Sequence, residues 1–381
     1  MKALRVVPLI AALALVATPS AAANGRLVEE VASGLDSPRH LEFGDRGDLF
    51  VAEAGRGGSG PCFWGGEGPA CMGASGGVTK IDRHGRQTRI AQGLASYANT
   101  PNNDNAIGPH GILVLGNDTV IVTNGGPTEP KVTQNGPTIS RDTLAQQNPV
   151  ADLFGRILLI GPRGRPISLA DTWKFERDVN PDRNVGNPAV DANPVDIEGD
   201  RLRLIFADAG GNSLNAVNIF GRFSNLAVFP NRPGVPHPFI PGATVDMQAV
   251  PTSVEVGPDG NYYVSQLTGF PFPVGGAKVY RVSPRGGTPQ VVATNFTMIM
   301  DLAFAKDGTL YVLEIDSNNL LTPGDEGAIW AISRKGERRK LNLPAGSLPF
   351  PGGLTIGNDG LYATVNSGSP GGGKVVRIKA R

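Results

Sequence analysis

Acidic, amide and histidine side chains recur in this chain at matching offsets around a repeated turn. His40, Asp196, Ser253 and Asp301 each open a short apolar run, and His110 stands one position from the equivalent place in another. Glu53, Asn124, Asp208, Gln266 and Glu314 each close the run that follows. Oxygen donors of this kind, brought to one place, suit calcium, which takes six to eight oxygen ligands. A carboxylate beside a histidine also suits acid–base work. Asp301 and Asp196 are the first choices for a metal ligand, because the strand that opens each repeat faces the inside. The structural reading weighs more at these positions: polar residues here satisfy backbone groups of neighbouring repeats.

A second group could bind rather than react. In Thr268–Gly276, Phe270 and Phe272 alternate with prolines between glycines. Proline holds such a segment extended, so two rings are presented on a stiff loop at low entropic cost. That suits stacking on a flat or apolar ligand, and it equally suits a plug over the fold. Gln248, Thr252 and Ser253, in the lead-in to a repeat, could hydrogen-bond the same ligand, as could His110. Ser253 lacks the Gly-x-Ser-x-Gly setting of a nucleophile. Gly55–Gly58 and Gly371–Gly373 lack the Gly-Lys-Ser/Thr ending of a phosphate loop. His84 and His237 read as ordinary surface residues.

The elements that must position these groups are strand pairs. Val254 and Val256 alternate with Glu255, Pro258-Asp259-Gly260 makes a turn, and Tyr262, Tyr263 and Val264 resume a strand. The phrase recurs at Leu41–Glu53, Leu302–Glu314 and Leu354–Ala363, and more weakly at Ile112–Asn124 and Ile197–Asp208. Six copies, five of them followed by two further strand signals and the last by one, predict an all-β fold, a six-bladed β-propeller. The last copy lacks its fourth strand, and Leu27–Leu35 resembles one. The N-terminal strand is therefore expected to complete the last blade and close the ring, which also covers an exposed edge. Turns inside each copy are short. The long segments 54–76, 96–108, 125–155, 171–193, 230–249, 267–277 and 315–327 all follow the second or fourth strand, so they gather on one face over a central channel. One of them holds a short helix at Asp171–Arg177, with Asp171 as its cap.

Residues 1–23 read as a cleavable export signal: Lys2 and Arg5, an apolar Val6–Ala17, then an Ala-x-Ala ending. An apolar run of about a dozen residues is too short to span a bilayer. The mature chain, 24–381, is expected to be one domain, secreted or periplasmic, with no transmembrane anchor. Its 52 glycines and 32 prolines argue for many turns and against long helices. A formal charge of +1 without a Lys/Arg cluster gives no footprint for nucleic acid. Cys62 and Cys71, the only two cysteines, suit a disulfide in an exported protein. It would contribute roughly 2–3 kcal/mol. Two cysteines with no nearby histidine are too few for a structural zinc site.

Gly34–Arg39, Val51–Cys62, Gly108–His110, Met247–Ser253 and Gln266–Ala277 together resemble the ScyD/ScyE family, exported propeller-like proteins named after a scytonemin gene cluster. The resemblance covers nearly the whole mature chain. It implies the fold and the export, and it brings no catalytic residues with it. More distantly, the repeats look like NHL repeats and the calcium-dependent lactonase propellers of the gluconolactonase type. Those hold a metal in the channel with carboxylate and amide oxygens, a set that Asp301, Asp196, Glu53 and Asn124 would imitate here. Two functions follow as expectations. One is a non-catalytic binding or scaffold protein that holds a small molecule, glycan or partner protein on its loop face. The other is a metal-dependent hydrolase or lactonase.

Overall fold

The structure, a computed structural model, describes residues 27–379 apart from 66–67, 117, 127–139, 187–188, 323 and 325. The export signal expected over 1–23, and part of the long segment 125–155, lie outside the described residues. The fold is all-β, built from antiparallel sheets. Among the described residues there are two α-helices, α1 (Arg141–Gln147) and α2 (Thr172–Val179). No helix among them is long and apolar enough to cross a membrane.

Each of the six repeats forms the first two strands of its own sheet. The first sheet runs Pro38–Phe43, Leu49–Glu53, Gly68–Ile81, Gln87–Asn99 and Asp104–Ile107. The second runs Pro109–Gly116, Thr119–Asn124, Arg156–Ile160 and Pro166–Asp171; the third runs Pro194–Asp200, Arg203–Asp208, Ser213–Asn218 and Phe223–Val228. The fourth comprises Pro251–Val256, Tyr262–Gln266, Ala277–Val282 and Gln290–Phe296, and the fifth Ile299–Phe304, Leu310–Glu314, Ala328–Ile332 and Arg338–Lys340. The sixth orders Gly353–Gly357, Gly360–Val365, Gly373–Ile378 and, from the other end of the chain, Val28–Leu35. Val28 faces Ile378 and Leu35 faces Gly373 in that last pair. The first strand of each sheet touches the first strand of the next, and Gly353–Gly357 touches Pro38–Phe43.

The hydrophobic core is not central; it lies in layers between consecutive sheets. Successive strand residues point to opposite faces, so one strand feeds two layers. Leu49 and Val51 pack against the sixth sheet through Tyr362 and Val375. Phe50 and Ala52 pack against the second through Ile112, Val120 and Leu158. Tyr262 and Val264 likewise join the layer with the third sheet, and Tyr263 the layer with the fifth. This is why the second strands read as almost unbroken apolar runs. Fully burying one such side chain is worth about 1.5–3 kcal/mol.

Where neighbouring first strands approach most closely, the sequence has glycine. A Cβ on Gly111 would lie 2.6 Å from the Asp196 Cα, and one on Gly353 would lie 2.7 Å from the His40 Cα. Any larger residue at either place would wedge two sheets apart.

Two segments expected as loops carry strand. Cys62–Gly65 pairs with the start of Gly68–Ile81, and Ala70–Gly73 pairs with Ser96–Asn99. Glycines at 73, 76 and 77 interrupt the side-chain alternation there, so the extension lacks a period-two signal. Cys62 and Cys71 sit directly opposite in the new hairpin and form a disulfide, with Cα atoms 4.0 Å apart. The segment 230–249 also holds a hairpin, Arg232–Pro236 with Thr244–Met247. The helix expected at 171–177 is α2, and Asp171 caps it by accepting from the Lys174 amide at 2.9 Å.

Candidate functional site

The residues that open the first strands meet between the sheets. His40, Asp196 and Asp301 come from the first, third and fifth sheets, and one ligand atom from each lies within 4.8 Å of the others. All three are buried. The other sheets place small or uncharged groups at this level: Gly111, Ser253 and Gly353.

Each carboxylate of the pair also holds two sheets together. Asp196 Oδ2 accepts from the Val254 amide at 2.8 Å, and Oδ1 from its neighbour Ile197 at 2.8 Å. Asp301 Oδ2 accepts from the Leu354 amide at 2.7 Å, and Oδ1 from Leu302 at 2.7 Å. Ser253 repeats the bridge, its Oγ accepting from the Leu302 amide at 3.3 Å. The bonds from Val254 and Leu354, and the one to Ser253, run from one sheet to the next; the other two stay within their own strand. Each satisfies a buried amide that would otherwise cost about 1–3 kcal/mol.

His40 Nε2 stands 3.6 Å from Asp301 Oδ1, too far for a hydrogen bond, and neither ring nitrogen has a hydrogen-bond partner. Burial alone would depress this imidazole; Asp196 and Asp301 outweigh it and lift its pKa to about 9. His110, whose ring centroid is 6.0 Å away, is pushed the other way, well below the usual histidine range, by burial, Arg39 and His40. A protonated and a neutral imidazole therefore stand side by side, the arrangement that separates acid from base. Asp196 is raised to about 6 by burial, against the pull of His40.

Two residues further along the same strands, Glu42, Glu198 and Glu255 form a second level. Glu42 Oε2 accepts from the Val114 amide at 2.6 Å. Burial followed by the neighbouring acids lifts Glu42 to about 7 and Glu198 to about 8, and raises Glu255 well above the usual carboxylate range. The expectations missed this level. Its signal was present, since Glu42, Glu198 and Glu255 hold one offset in three repeats, but an acid alternating with apolar residues reads as a solvent face.

The other expected ligands are engaged elsewhere. Glu53 Oε2 accepts from the Asp36 amide at 2.7 Å, and Oε1 pairs with Arg89 at 2.8 Å. Asn124 donates to the Ala95 and Gly125 carbonyls, both at 3.3 Å. Asp208 and Glu314 accept from the Asn193 and Thr297 amides at 2.8 and 2.6 Å. Acids that close the second strand thus pin the segment entering the first. Thr252 shares a hydrogen bond with Ser265 at 2.8 Å and donates to the Ile299 carbonyl at 2.7 Å. Gln248 is half-buried beside the Phe270 loop, where its carbonyl accepts from the Gly269 amide at 2.9 Å.

Phe270 and Phe272 are half-buried, their ring centroids 6.2 Å apart. Phe272 packs on the layer between the fifth and sixth sheets. Phe270 meets His237 at 5.3 Å and Phe239 at 6.4 Å. His237, read as a surface residue, therefore belongs to an aromatic group joining the hairpin 232–247 to the loop 267–276. Phe239 (68% exposed) and Val274 (67%) leave this group open on one side. The loop is pinned: Asn319 Nδ2 donates to the Phe272 carbonyl at 2.6 Å, and the Gly275 amide donates to Thr297 Oγ1 at 2.9 Å. A charged groove of about 760 Å³ lies at the opposite, short-turn side of the first sheet, lined by Arg46, Asp82, Arg86 and Asp118 among others. It shares no residue with either group.

No family model and no curated protein matches this chain. Among solved structures, a protein of unknown function from Bacteroides thetaiotaomicron is similar at a TM-score of 0.51 and 10% identity, over 92% of this chain and 75% of its own. A protein described as a putative gluconolactonase is similar at 0.49 and 12%, over 94% of each chain. Virginiamycin B lyase from Staphylococcus aureus is similar at 0.46 and 12%, over 93% of this chain and 89% of its own. At such identities the likeness is one of fold, a β-propeller arrangement of antiparallel sheets.

Proposed function

We propose that this chain is an exported β-propeller of the ScyD/ScyE kind that binds a flat or apolar small molecule on its loop face. In this reading the six sheets are six blades, and the Val28–Leu35 strand closes the ring. The observation that carries the binding role is the open aromatic group of Phe239, Phe270 and His237, held between a pinned loop and the hairpin 232–247. Exposed apolar rings on a stiff support mark a contact surface, and little ordering cost remains to be met on binding. Gln248, backing the loop, supplies a polar contact. The test is a melting-temperature screen of the mature chain against flat aromatic compounds and glycans. A ligand of this site raises the melting temperature of the wild type, and the rise is lost in Phe270→Ala/Phe272→Ala.

A second reading rests on the three ligand atoms of His40, Asp196 and Asp301 and on the unpartnered nitrogens of His40. It is a divalent metal centre serving a hydrolase or lactonase. Each carboxylate oxygen already accepts one amide and keeps a lone pair for an ion. One imidazole with two carboxylates suits zinc or manganese better than calcium, a hard cation with oxygen ligands. A metal here would polarise a substrate carbonyl or acidify a bound water. Binding must displace the His40 proton, so affinity rises with pH toward about 9. Turnover of an ester or lactone that is lost in His40→Ala, with the fold intact, would favour this reading over the first.

A further inference from the structure

A second group of acids lies apart from the axis and from the aromatic rings. Glu176 on α2, Asp182 and Asp191 in the segment after it, and Asp208 at the end of its strand gather around the turn 208–212. Glu176, Asp182 and Asp208 are each at most 1% exposed. Asp191 is half-buried. The turn is threaded closely between them: a Cβ on Gly211 would lie 2.9 Å from Glu176 Oε2, and one on Gly210 would overlap Asp191 Oδ1.

Two of these acids have protein donors. Asp208 Oδ1 accepts from the amides of Asn193, Gly210 and Gly211 at 2.8, 3.1 and 3.0 Å. Asp182 Oδ2 accepts from Asn212 Nδ2 at 2.9 Å. Glu176 is different, because neither of its carboxylate oxygens has a hydrogen-bond partner. The charged groups that act on it are Asp208, Asp182 and Asp191, and those that act on Asp191 are Asp208 and Asp182. The basic residues of α2 turn away: Lys174 pairs with Asp178, and Arg177 with Asp178 and Asp142. A buried carboxylate is tolerated when it is paired, neutralised or bound to a metal, and here only acids face Glu176.

We propose that this cluster holds one divalent cation of the calcium class, tying α2 and the segment after it to the third sheet. The donors are all oxygens, the chemistry calcium selects. Among the described residues, the axial group alone brings three acid or imidazole ligand atoms within 4.8 Å of one another. The ion therefore takes at most two of these carboxylates directly, and carbonyls and water complete its shell. The site is separate from the axial centre, which contains an imidazole.

The experiment uses the mature chain, stripped with chelator and dialysed against calcium. Calcium per chain is counted by elemental mass spectrometry and the melting temperature is followed with and without the ion. The wild type is expected to retain about one calcium more per chain than Glu176→Gln, and to melt several degrees higher with calcium than without it. Glu176→Gln, which leaves the axial residues untouched, is expected to bind this calcium at least roughly tenfold more weakly. Asp191→Asn supplies the same comparison at a more exposed ligand, should the first variant fold poorly. Equal calcium in wild type and both variants would overturn the proposal. So would a wild type insensitive to calcium whose Glu176→Gln variant melts higher, the signature of a carboxyl kept neutral by a proton.

Discussion

At the scale of single residues, the polar groups between the sheets first hold the fold together. Asp301 accepts two backbone amides and faces His40. Asp301→Ala leaves the buried Leu354 amide without its acceptor, the Leu302 amide with Ser253 Oγ alone, and the His40 imidazolium without one of its two neighbouring countercharges, and should destabilise the chain by roughly 3–5 kcal/mol, read from urea unfolding. Asp301→Asn keeps one acceptor oxygen and should cost less. If both variants unfold at the wild-type urea concentration, the bridging role is wrong. Glu42 tests the second level. Its carboxyl lies at about 7 in the fold, against an ordinary 4.5. Between those values the native chain binds more protons than the unfolded one, so stability falls as pH rises through that window. Glu42→Gln should flatten the melting profile between about pH 4.5 and 7; an unchanged profile would contradict the assignment.

At the scale of elements, the disulfide and the N-terminal strand carry separable predictions. Replacing Cys62 and Cys71 with serine should cost about 2–3 kcal/mol and loosen the hairpin they close. Removing the segment before Ser37 bares the edge of Gly373–Ile378, whose partners include Glu29, paired with Arg377 and Lys379. The shortened chain should associate or aggregate, seen by size-exclusion chromatography. A stable monomer would mean that the strand is dispensable. The strand pairs were legible in the sequence because Asp-Gly turns and alternating apolar residues mark them locally. The continuation of the first sheet through 70–73 and 96–99 was not, because glycines erase the alternation. The hairpin at 232–247 was hidden by its prolines. The axial group could be read from one offset shared by His40, Asp196 and Asp301. The cluster around Glu176 could not, because its acids are scattered along a loop with no spacing rule and meet only once the third sheet has formed.

At the scale of the whole molecule, Asp196, Glu42 and His40 respond to pH with one sign, while His110, held well below the usual histidine range, opposes them by adding stability as pH rises towards 6.5. Asp196 and Glu42 are raised to about 6 and about 7, and each loses native stability as pH rises from its ordinary value to its folded one. His40, raised to about 9, contributes stability fully below about 6.5 that is lost as pH climbs through 9. Glu29, lowered to about 2 by Lys379 and Arg377, acts only on the acid side, where its contribution is lost as pH falls from 4.5 through 2. Because the raised groups outnumber His110, the chelated protein should melt highest near pH 4–5 and progressively lower up to about pH 9. A melting temperature that rises between pH 5 and 8 would contradict this picture of the interior. The central claim concerns the opposite boundary of the molecule, where rings face solvent on a pinned loop and the hairpin beside it. The most direct measurement is the melting temperature of the wild type and of Phe270→Ala/Phe272→Ala across one panel of flat aromatic compounds and glycans. A shift of several degrees in the wild type, absent in the variant, is the predicted result. An equal shift in both proteins, or no shift alongside metal-dependent ester or lactone turnover lost in His40→Ala, would contradict it.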